Sequence, residues 1–384
     1  MSIQNTSADN QFNPPQGLFT LKRLPYRPKE LLRAWDASDE YLLEQFATES
    51  VLTNAKILII NDSFGALAVA LNTFKPSALS DSYLSQQATR LNLTANKLPI
   101  DSIHLLTSLD TLNGIYDWVL IKAPKTLALL EDELIRLRPH INANTQVLVA
   151  GMQKNLPSSV WLLLERLLGK TTTLLTKKKA KLIKVSPHND LPLISSPYPV
   201  YYTLENGDYV ITNHANVFSR DSLDIGTRFF LQHLPKQTQA KDIIDLGCGN
   251  GVLGLCAAVQ NPQATVHFVD ESYMAIASAK ETMQRAFNNS RDAHYYFTDG
   301  LTEFAPDFAD LILCNPPFHQ QHTIGDHIAL SLFQQAKRVL RKGGQLWVIG
   351  NRHLGYSVAL NRLFGGHKII ASNAKFIIWQ THKL

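Results

Sequence analysis

The chain has 384 residues, more than one typical domain contains, so we expect two domains. Hydrophobic residues make up 45% of the sequence and charged residues 18%, which is typical of a folded globular protein. The formal net charge is +5, no apolar run reaches the roughly 18 residues of a membrane span, and the polar start MSIQNTSADNQFNPPQG lacks the hydrophobic segment of a signal peptide.

The three cysteines, Cys248, Cys256 and Cys314, form no CxxC pair and have no metal-ligand spacing. They favour a reducing environment. We therefore expect a cytoplasmic protein with no metal site.

Apolar runs of strand length alternate with helix-period stretches, a pattern that predicts an α/β protein with a parallel sheet. The first half of the sequence is weakly similar to the second, and four segments recur in the same order. The aligned pairs are 57–68 with 243–254, 81–88 with 270–279, 117–125 with 310–318, and 146–154 with 345–353. This order predicts duplication of a whole domain. A Pro- and Ser-rich break at 186–199 predicts domains at 1–190 and 200–384.

Positive charge is concentrated just before that break. Residues 120–200 hold 12 Lys and Arg against 5 Asp and Glu, most densely at KKKAKLIK, 177–184. Such a patch suits a phosphate backbone. An equally good explanation of these lysines is that they protect a solvated edge strand from pairing with another chain.

The second half predicts a regular series of strands and helices. The predicted strands, with the loop residues that end them, are 242–251, 265–272, 293–300, 308–318, 345–352 and 375–382. The predicted helices are 252–260, 273–287 and 328–344, the last ending at two glycines.

A glycine-rich loop follows the first of these strands. Asp245, Gly247, Gly249 and Gly251 lie between the strand and the helix that follows it. Glycines there allow a ligand to approach the backbone, and a helix N-terminus attracts an anionic group. Asp270 ends the next strand, where a carboxylate can bind two ribose hydroxyls. The combination predicts a nucleoside ligand that carries an amino-acid carboxylate, S-adenosylmethionine (SAM).

Asp299 ends the third strand. It can accept a hydrogen bond from the adenine amino group of that ligand. A helix cap or a type I turn is the alternative role.

The fourth strand runs directly into Asn315-Pro316-Pro317-Phe318. The two prolines end the strand and remove two backbone donors. The Asn315 side-chain oxygen and the Pro316 carbonyl can each accept one N–H of an exocyclic base amine, so that its lone pair faces a sulfonium methyl, while Phe318 stacks on the base. This is catalysis by orientation and fixed polarity.

DLGCGNG, VD and NPPF, in that order, identify residues 201–384 as similar to the Rossmann-type SAM-dependent methyltransferases that modify exocyclic amines. The resemblance implies a final antiparallel strand, which 375–382 would supply. The segment VFSRDSLDIGTRFFLQHLP, 217–235, resembles a stretch that closes over SAM in ribosomal RNA guanine-N2 methyltransferases. It implies roles for Phe218, Asp224 and Gly226.

LLRAWDASDEYLLEQ, 31–45, is similar to the opening of the large-subunit ribosomal RNA guanine-N2 methyltransferases, the RlmG type, whose sibling is the small-subunit RsmC type. The resemblance covers nearly the whole chain. It implies two tandem Rossmann-like methyltransferase-fold domains, the first degenerate and the second catalytic, and methylation of a guanine N2 in large-subunit (23S) ribosomal RNA.

The alignment of the two halves predicts what the first has lost. Asn61 and Ser63 stand opposite Gly247 and Gly249, Ile59 opposite Asp245, and Lys122 and Ala123 opposite Asn315 and Pro316. We hypothesise that the first domain binds RNA phosphates instead. The expected RNA-binding residues are Lys122, Lys125, Lys177, Lys178, Lys179 and Lys181.

Other functions stay open at this point. Small-subunit RNA is a same-class alternative substrate. A protein glutamine amide is another, although those enzymes usually place Tyr where this chain has Phe318. DNA adenine methylation is a weaker alternative, because this chain has no recognisable target-recognition region. A non-catalytic RNA-binding assembly factor would not need Asp245, Asp270 and Asn315. We call Asn315-Pro316-Pro317-Phe318 the clamp. His319 and His322 follow the clamp, and we assign them no role.

Overall fold

The computed structural model describes residues 10–27, 30–205, 209–236, 239–316 and 322–384. The chain forms two compact units, one ending at Pro197 and the other beginning at Tyr198. Within the described residues, no helix combines the length and the apolar character needed to cross a membrane.

The N-terminal unit contains one seven-stranded sheet and a two-stranded hairpin. Its elements are β1 (Gln11–Phe12), β2 (Phe19–Thr20), α1 (Ala37–Ala47), β3 (Ile57–Ile60), α2 (Ala66–Ala70), β4 (Ser77–Ser80), α3 (Tyr83–Ala95), β5 (His104–Thr107), β6 (Trp118–Lys122), α4 (Leu127–Leu137), β7 (Gln146–Met152), α5 (Ser159–Leu167), β8 (Gly169–Thr173) and β9 (Ala180–Pro187). The sheet order is β5-β4-β3-β6-β7-β9-β8, with β9 antiparallel to both neighbours.

The C-terminal unit follows the same plan. Its elements are β10 (Val200–Thr203), β11 (Val210–Asn213), α6 (Ile225–Leu231), β12 (Asp242–Leu246), α7 (Val252–Gln260), β13 (Thr265–Asp270), α8 (Tyr273–Phe287), β14 (Ala293–Phe297), β15 (Ala309–Cys314), α9 (His322–Val339), β16 (Leu340–Asn351), α10 (Tyr356–Phe364), β17 (Lys368–Ser372) and β18 (Phe376–His382). The sheet order is β14-β13-β12-β15-β16-β18-β17. The expected last antiparallel strand is confirmed as β18, which pairs with β16.

The central strands are buried on both faces, as parallel strands covered by helices must be. Alternate residues of β3 enter two separate apolar clusters, Ile57 in one and Leu58 in the other. Ile243 and Ile244 of β12 divide in the same way. This burial explains why both strands are continuous apolar runs in the sequence.

The two units repeat each other residue by residue at the central strands. Ile60 lies opposite Leu79 and Ile121, as Leu246 lies opposite Val269 and Cys314. Gly65 and Gly251 begin the next helices with φ values of 80° and 78°. The predicted duplication and the alignment of Lys122 with Asn315 are therefore confirmed.

One predicted helix is wrong at both ends. The sequence indicated 328–344, whereas α9 begins six residues earlier and ends at Val339, and 340–344 belong to β16. Arg341 explains the early end, because its guanidinium lies 2.7 Å from both Asp242 and Asp310 and holds this segment against the sheet. The sheet register is irregular there, and Gly343 adopts φ 79°.

The loop of the N-terminal unit that corresponds to the glycine-rich loop is filled by its own side chain. Asp62 accepts the backbone N–H groups of Ala66, Leu67 and Ala68 at 2.9–3.0 Å. This carboxylate satisfies the start of α2, where an anionic ligand group would otherwise bind. Burial raises the pKa of Asp62 above its usual range.

Lys122, expected to bind RNA, is instead the centre of an ion cluster. Its ammonium lies 2.7 Å from Asp39 and 3.0 Å from Asp36, and its side chain is only 13% exposed. Burial alone would lower the pKa of Lys122, but attraction to the two carboxylates raises it. Burial raises the pKa of Asp39 to about 6 against the attraction of Lys122. We therefore withdraw Lys122 from the RNA-binding set.

The other lysines expected to bind RNA differ in the partners and the exposure of their ammonium groups. Lys177 and Lys178, at the β8–β9 turn, lie 3.0 Å from Glu44 and 2.6 Å from Glu40. The Lys181 ammonium lies 5.4 Å from the centre of the Trp161 ring. The two remaining lysines, Lys125 and Lys179, are exposed.

We predict that Lys122→Met lowers the free energy of unfolding by about 3 kcal/mol, because it leaves the buried Asp39 carboxylate without its cation. The exposed Lys125→Met, three residues along the chain, is the matched control and should change the free energy by less than about 0.5 kcal/mol. Urea unfolding measures both. Equal stability of the two variants would contradict the role given to Lys122.

Candidate active site

The expected site residues of the C-terminal unit gather at the carboxyl ends of parallel strands. Asp245 lies near the end of β12, Asp270 ends β13, and Asn315 follows β15. The register brings these ends together, because Leu246 is paired with residues of both β13 and β15. Ligands of open α/β sheets bind at such an edge.

The glycine-rich loop leaves space beside its backbone. Gly247 and Gly249 have φ values of 72° and 52°, and a methyl group added at either would meet nothing within 4 Å. Gly251 differs, because an added methyl would lie 2.8 Å from the Ala279 Cβ atom. The first two glycines thus keep the loop open to a ligand, and the third allows α7 to pack against α8.

Asp270 connects the loop to the next helix. One of its carboxylate oxygens accepts the N–H of Gly249 at 3.0 Å, and the other accepts the N–H of Ser272 at 3.0 Å. Ser272 in turn caps α8 through its hydroxyl. The carboxylate is therefore fixed at the end of β13, beside the open part of the loop.

Asp245 is almost completely buried, with 1% of its surface exposed. One oxygen accepts the N–H of Gly254 at 2.8 Å, but no described residue donates to the other. Burial, with the nearby charge of Asp270 adding to it, raises the pKa of Asp245 to about 8. An unsatisfied carboxylate next to a ligand loop is the arrangement expected of a binding site.

Asp299 lies just after β14 and is half-buried, and burial raises its pKa. Its backbone carbonyl accepts the N–H of Thr302 at 3.3 Å, so a turn begins here. It is not the type I turn that the sequence suggested, because its second residue, Gly300, has φ 57°. The ligand role of the side chain stays a prediction.

Asn315 presents one end of its amide to the protein. Its Nδ2 group donates to the Thr227 hydroxyl at 3.0 Å. Its Oδ1 atom is buried, and no described residue donates to it. Pro316, the next residue, is buried. Pro317, Phe318 and His319 lie outside the described residues, as do the side-chain contacts of His322.

Asn351, at the end of β16, was not predicted from the sequence. Its Oδ1 atom is also buried with no donor among the described residues. Asp245 and Asn315 also have such an oxygen, so each of the neighbouring strands β12, β15 and β16 has one at or near its carboxyl end. Unsatisfied acceptors at three neighbouring strand ends suit a ligand rich in donors.

The segment before the glycine-rich loop contributes α6. Asp224, carried over from the family resemblance, caps this helix by accepting the backbone N–H of Thr227 at 2.8 Å. Gly226 packs closely, because an added methyl would lie 3.1 Å from the Phe376 ring. Phe218 is 52% exposed, and its expected role at SAM stays a prediction.

Thr227 is a second residue of the candidate site that the sequence analysis missed. It contacts Asn315 across 88 residues of sequence. The only local signal is its position three residues after a capping Asp, which indicates a helix start but not a contact with a distant strand end. Asn351 had no local signal.

The fold and the loop at its strand ends define a methyltransferase of the Rossmann-like kind. The model of the RLMG N-terminal domain matches residues 9–189, and the model of the methyltransferase small domain matches residues 208–380. Ribosomal RNA large subunit methyltransferase G of Stutzerimonas stutzeri is 46% identical over 96% of this chain and 98% of its own length. The Streptomyces avermitilis protein of the same name is 45% identical over the same shares. The chain therefore belongs to the ribosomal RNA large subunit methyltransferase G family.

A solved structure extends the likeness to the whole fold. The 16S rRNA N2 guanine methyltransferase RsmC of T. thermophilus, determined in complex with AdoMet and guanosine, matches with a TM-score of 0.75 and covers 97% of both chains. Its sequence identity is 20%. The shared architecture is thus the two-unit fold.

We predict that Asp245→Asn stabilises the ligand-free protein more at pH 8 than at pH 5.5. The folded protein keeps the Asp245 proton up to a pKa of about 8, whereas the ordinary value is 3.8. Between these values only the unfolded chain releases the proton, so stability falls as pH rises through this window. The amide cannot ionise and escapes this loss.

Thermal unfolding at the two pH values measures the effect. Asp221→Asn is the matched control, because the Asp221 side chain is 76% exposed. Its shift in Tm should be the same at both pH values. The prediction for Asp245 fails if its variant also shows the same shift at both.

Proposed function

We propose that this chain transfers a methyl group from SAM to the exocyclic N2 of a guanine in large-subunit ribosomal RNA. The observation that carries the proposal is the buried Asn315 Oδ1 atom beside the glycine-rich loop, to which no described residue donates. The proposal also rests on the family, whose curated members are named for the large ribosomal subunit. Such a protein would work in the cytoplasm, where ribosomes are assembled.

The residues present fit SAM. Asp270 can accept ribose hydroxyls, the open loop at Gly247 and Gly249 can face the amino-acid part, and Asp299 can accept the adenine amine. The unsatisfied Asp245 oxygen suits a cationic donor such as an ammonium group. When bound, SAM supplies an electrophilic methyl on a sulfonium.

The clamp gives the guanine amine its direction. The lone pair of an exocyclic amine is delocalised into the ring, so the amine is a poor nucleophile. Asn315 Oδ1 and the Pro316 carbonyl each accept one N–H, which turns the lone pair out of the ring plane. Phe318, after Pro317, stacks on the base. No strong general base is needed, because the methylated ammonium loses its proton readily.

The target guanine must be out of a helix to reach this clamp. Its N2 group lies on the Watson–Crick edge, which base pairing covers. Enzymes that act on a base therefore take it from a single strand or flip it out of the stack.

The test is methyl transfer from radiolabelled SAM to separated, unmodified large- and small-subunit ribosomal RNA, followed by nucleoside analysis. We expect N2-methylguanosine in large-subunit RNA. Label in small-subunit RNA would retain the clamp and overturn the substrate, and label in a protein glutamine amide would overturn the RNA. SAM binding with no transfer to RNA, to assembly particles or to protein would indicate a non-catalytic assembly factor.

We further propose that Lys125, Lys177, Lys178, Lys179 and Lys181 bind RNA phosphates. Exposed ion pairs contribute little free energy, so Lys177 and Lys178 can exchange their glutamates for phosphates. Lys125 and Lys179 are exposed, and the Lys181 ammonium lies over Trp161.

Replacing Lys125, Lys179 and Lys181 with Gln should weaken RNA binding and lower its salt slope by about 2, the value for three phosphate contacts on a single strand. The matched control is a triple Gln variant at the exposed Lys75, Lys97 and Lys154, which changes the net charge equally. Filter binding at several salt concentrations measures both. Equal slopes for the two triple variants would contradict the proposed surface.

A further inference from the structure

The direction of the Asn315 amide decides whether the clamp can work. The oxygen end accepts the N–H of a guanine amine, whereas the NH₂ end would meet that amine donor to donor. The two ends have nearly the same shape, so steric packing does not select between them. Hydrogen-bond partners must make the selection.

A short relay makes this selection in the structure. The Thr227 hydroxyl donates to Asp224 at 3.2 Å, and the same carboxylate oxygen accepts the Thr227 backbone N–H at 2.8 Å. A hydroxyl has one hydrogen, so towards Asn315 the Thr227 oxygen can only accept. Asn315 must then present Nδ2 to it, at 3.0 Å, and turn Oδ1 away.

The N-terminal unit makes the same contact with different chemistry. Asp36 caps α1 as Asp224 caps α6, and Asp39 lies three residues later, as Thr227 does. Lys122 occupies the strand-end position of Asn315 and binds both acids. A link from helix start to strand end is therefore common to the two copies.

The two copies differ in whether the residue at the strand end keeps a hydrogen-bond acceptor that the link does not use. Lysine has donors and no acceptor, so the side chain at this strand end cannot receive an amine N–H. The neutral pair of hydroxyl and amide leaves one buried acceptor without a donor among the described residues. The same link between helix start and strand end thus forms an ion cluster in one copy and leaves a hydrogen-bond acceptor available in the other.

We propose that Thr227, oriented by Asp224, is a positioning residue that fixes the Asn315 amide with Oδ1 towards the substrate amine. This inference rests on the proposed function and deepens it. Thr227 need not contact the guanine, because it acts through Asn315. The relay also attaches α6, and with it the segment before the cofactor loop, to the catalytic strand.

The test compares Thr227→Val and Thr227→Ser in the full chain. Valine keeps the shape and the backbone N–H that Asp224 accepts, but removes the hydroxyl. We expect kcat for RNA methylation to fall about 10- to 100-fold, since a fixed polar group at the reacting atom contributes on this scale. The Kd for SAM and the Tm should change little. Thr227→Ser keeps the hydroxyl and should retain kcat to within about threefold.

The double variant with Asn315→Ala separates positioning from a general structural effect. If Thr227 acts through Asn315, then Thr227→Val adds no further loss of kcat to Asn315→Ala. If the losses of kcat in the two single variants multiply in the double variant, the relay is wrong. A normal kcat for Thr227→Val, while Asn315→Ala is slow, would also overturn it. If the wild type does not methylate guanine, the proposed function falls and the relay falls with it.

Discussion

The parallel pairing of β12 with β15 is the constraint on which the candidate site depends. Leu246 opposite Cys314 places the start of the glycine-rich loop next to the end of the clamp strand. A shift by one residue would turn every side chain of the moved strand to the other face. Asn315 would then leave α6, and the apolar residues of β15 would leave their clusters. The burial of this strand pair therefore fixes both the core and the catalytic geometry.

The N-terminal unit keeps this register and uses the strand ends differently. Ile59 replaces the buried acid Asp245, and Asp62 fills the loop with an internal cap. Lys122 replaces the clamp amide and forms ion pairs with the buried Asp39 and the exposed Asp36. In the C-terminal unit, Asp245, Asn315 and Asn351 each have a buried oxygen with no described donor, and the pKa of Asp245 is raised to about 8. At the strand position of Asp245 the candidate site thus bears the electrostatic cost of a buried acid, whereas the degenerate copy has an apolar residue there.

Local sequence predicted the features that short segments determine. The central strands are apolar runs, Gly251 precedes a helix, and Asp270 and Asn315 end strands, so their gathering followed from the rule for parallel sheets. The features that distant segments determine could not be predicted. The lysine at 122 looked like a free cation, because its partner Asp36 lies 86 residues away. Thr227 was missed because its partner is 88 residues away.

The misplaced end of α9 has the same cause. Two glycines are a good local stop for a helix, but the two ion pairs of Arg341 hold the residues just before the glycines in β16. Contacts with Asp242 and Asp310 outweigh the local preference. Helix ends next to charged sheet edges are therefore set by tertiary contacts.

The central claim is that one copy of the fold binds SAM and the other has lost the ability. Equilibrium dialysis of labelled SAM against the full chain tests it most directly. We predict one SAM per chain, and a marked loss of binding in Asp270→Ala, which removes the carboxylate at the end of β13. Two SAM molecules per chain, or one that binds the Asp270→Ala variant as tightly as the wild type, would contradict the account.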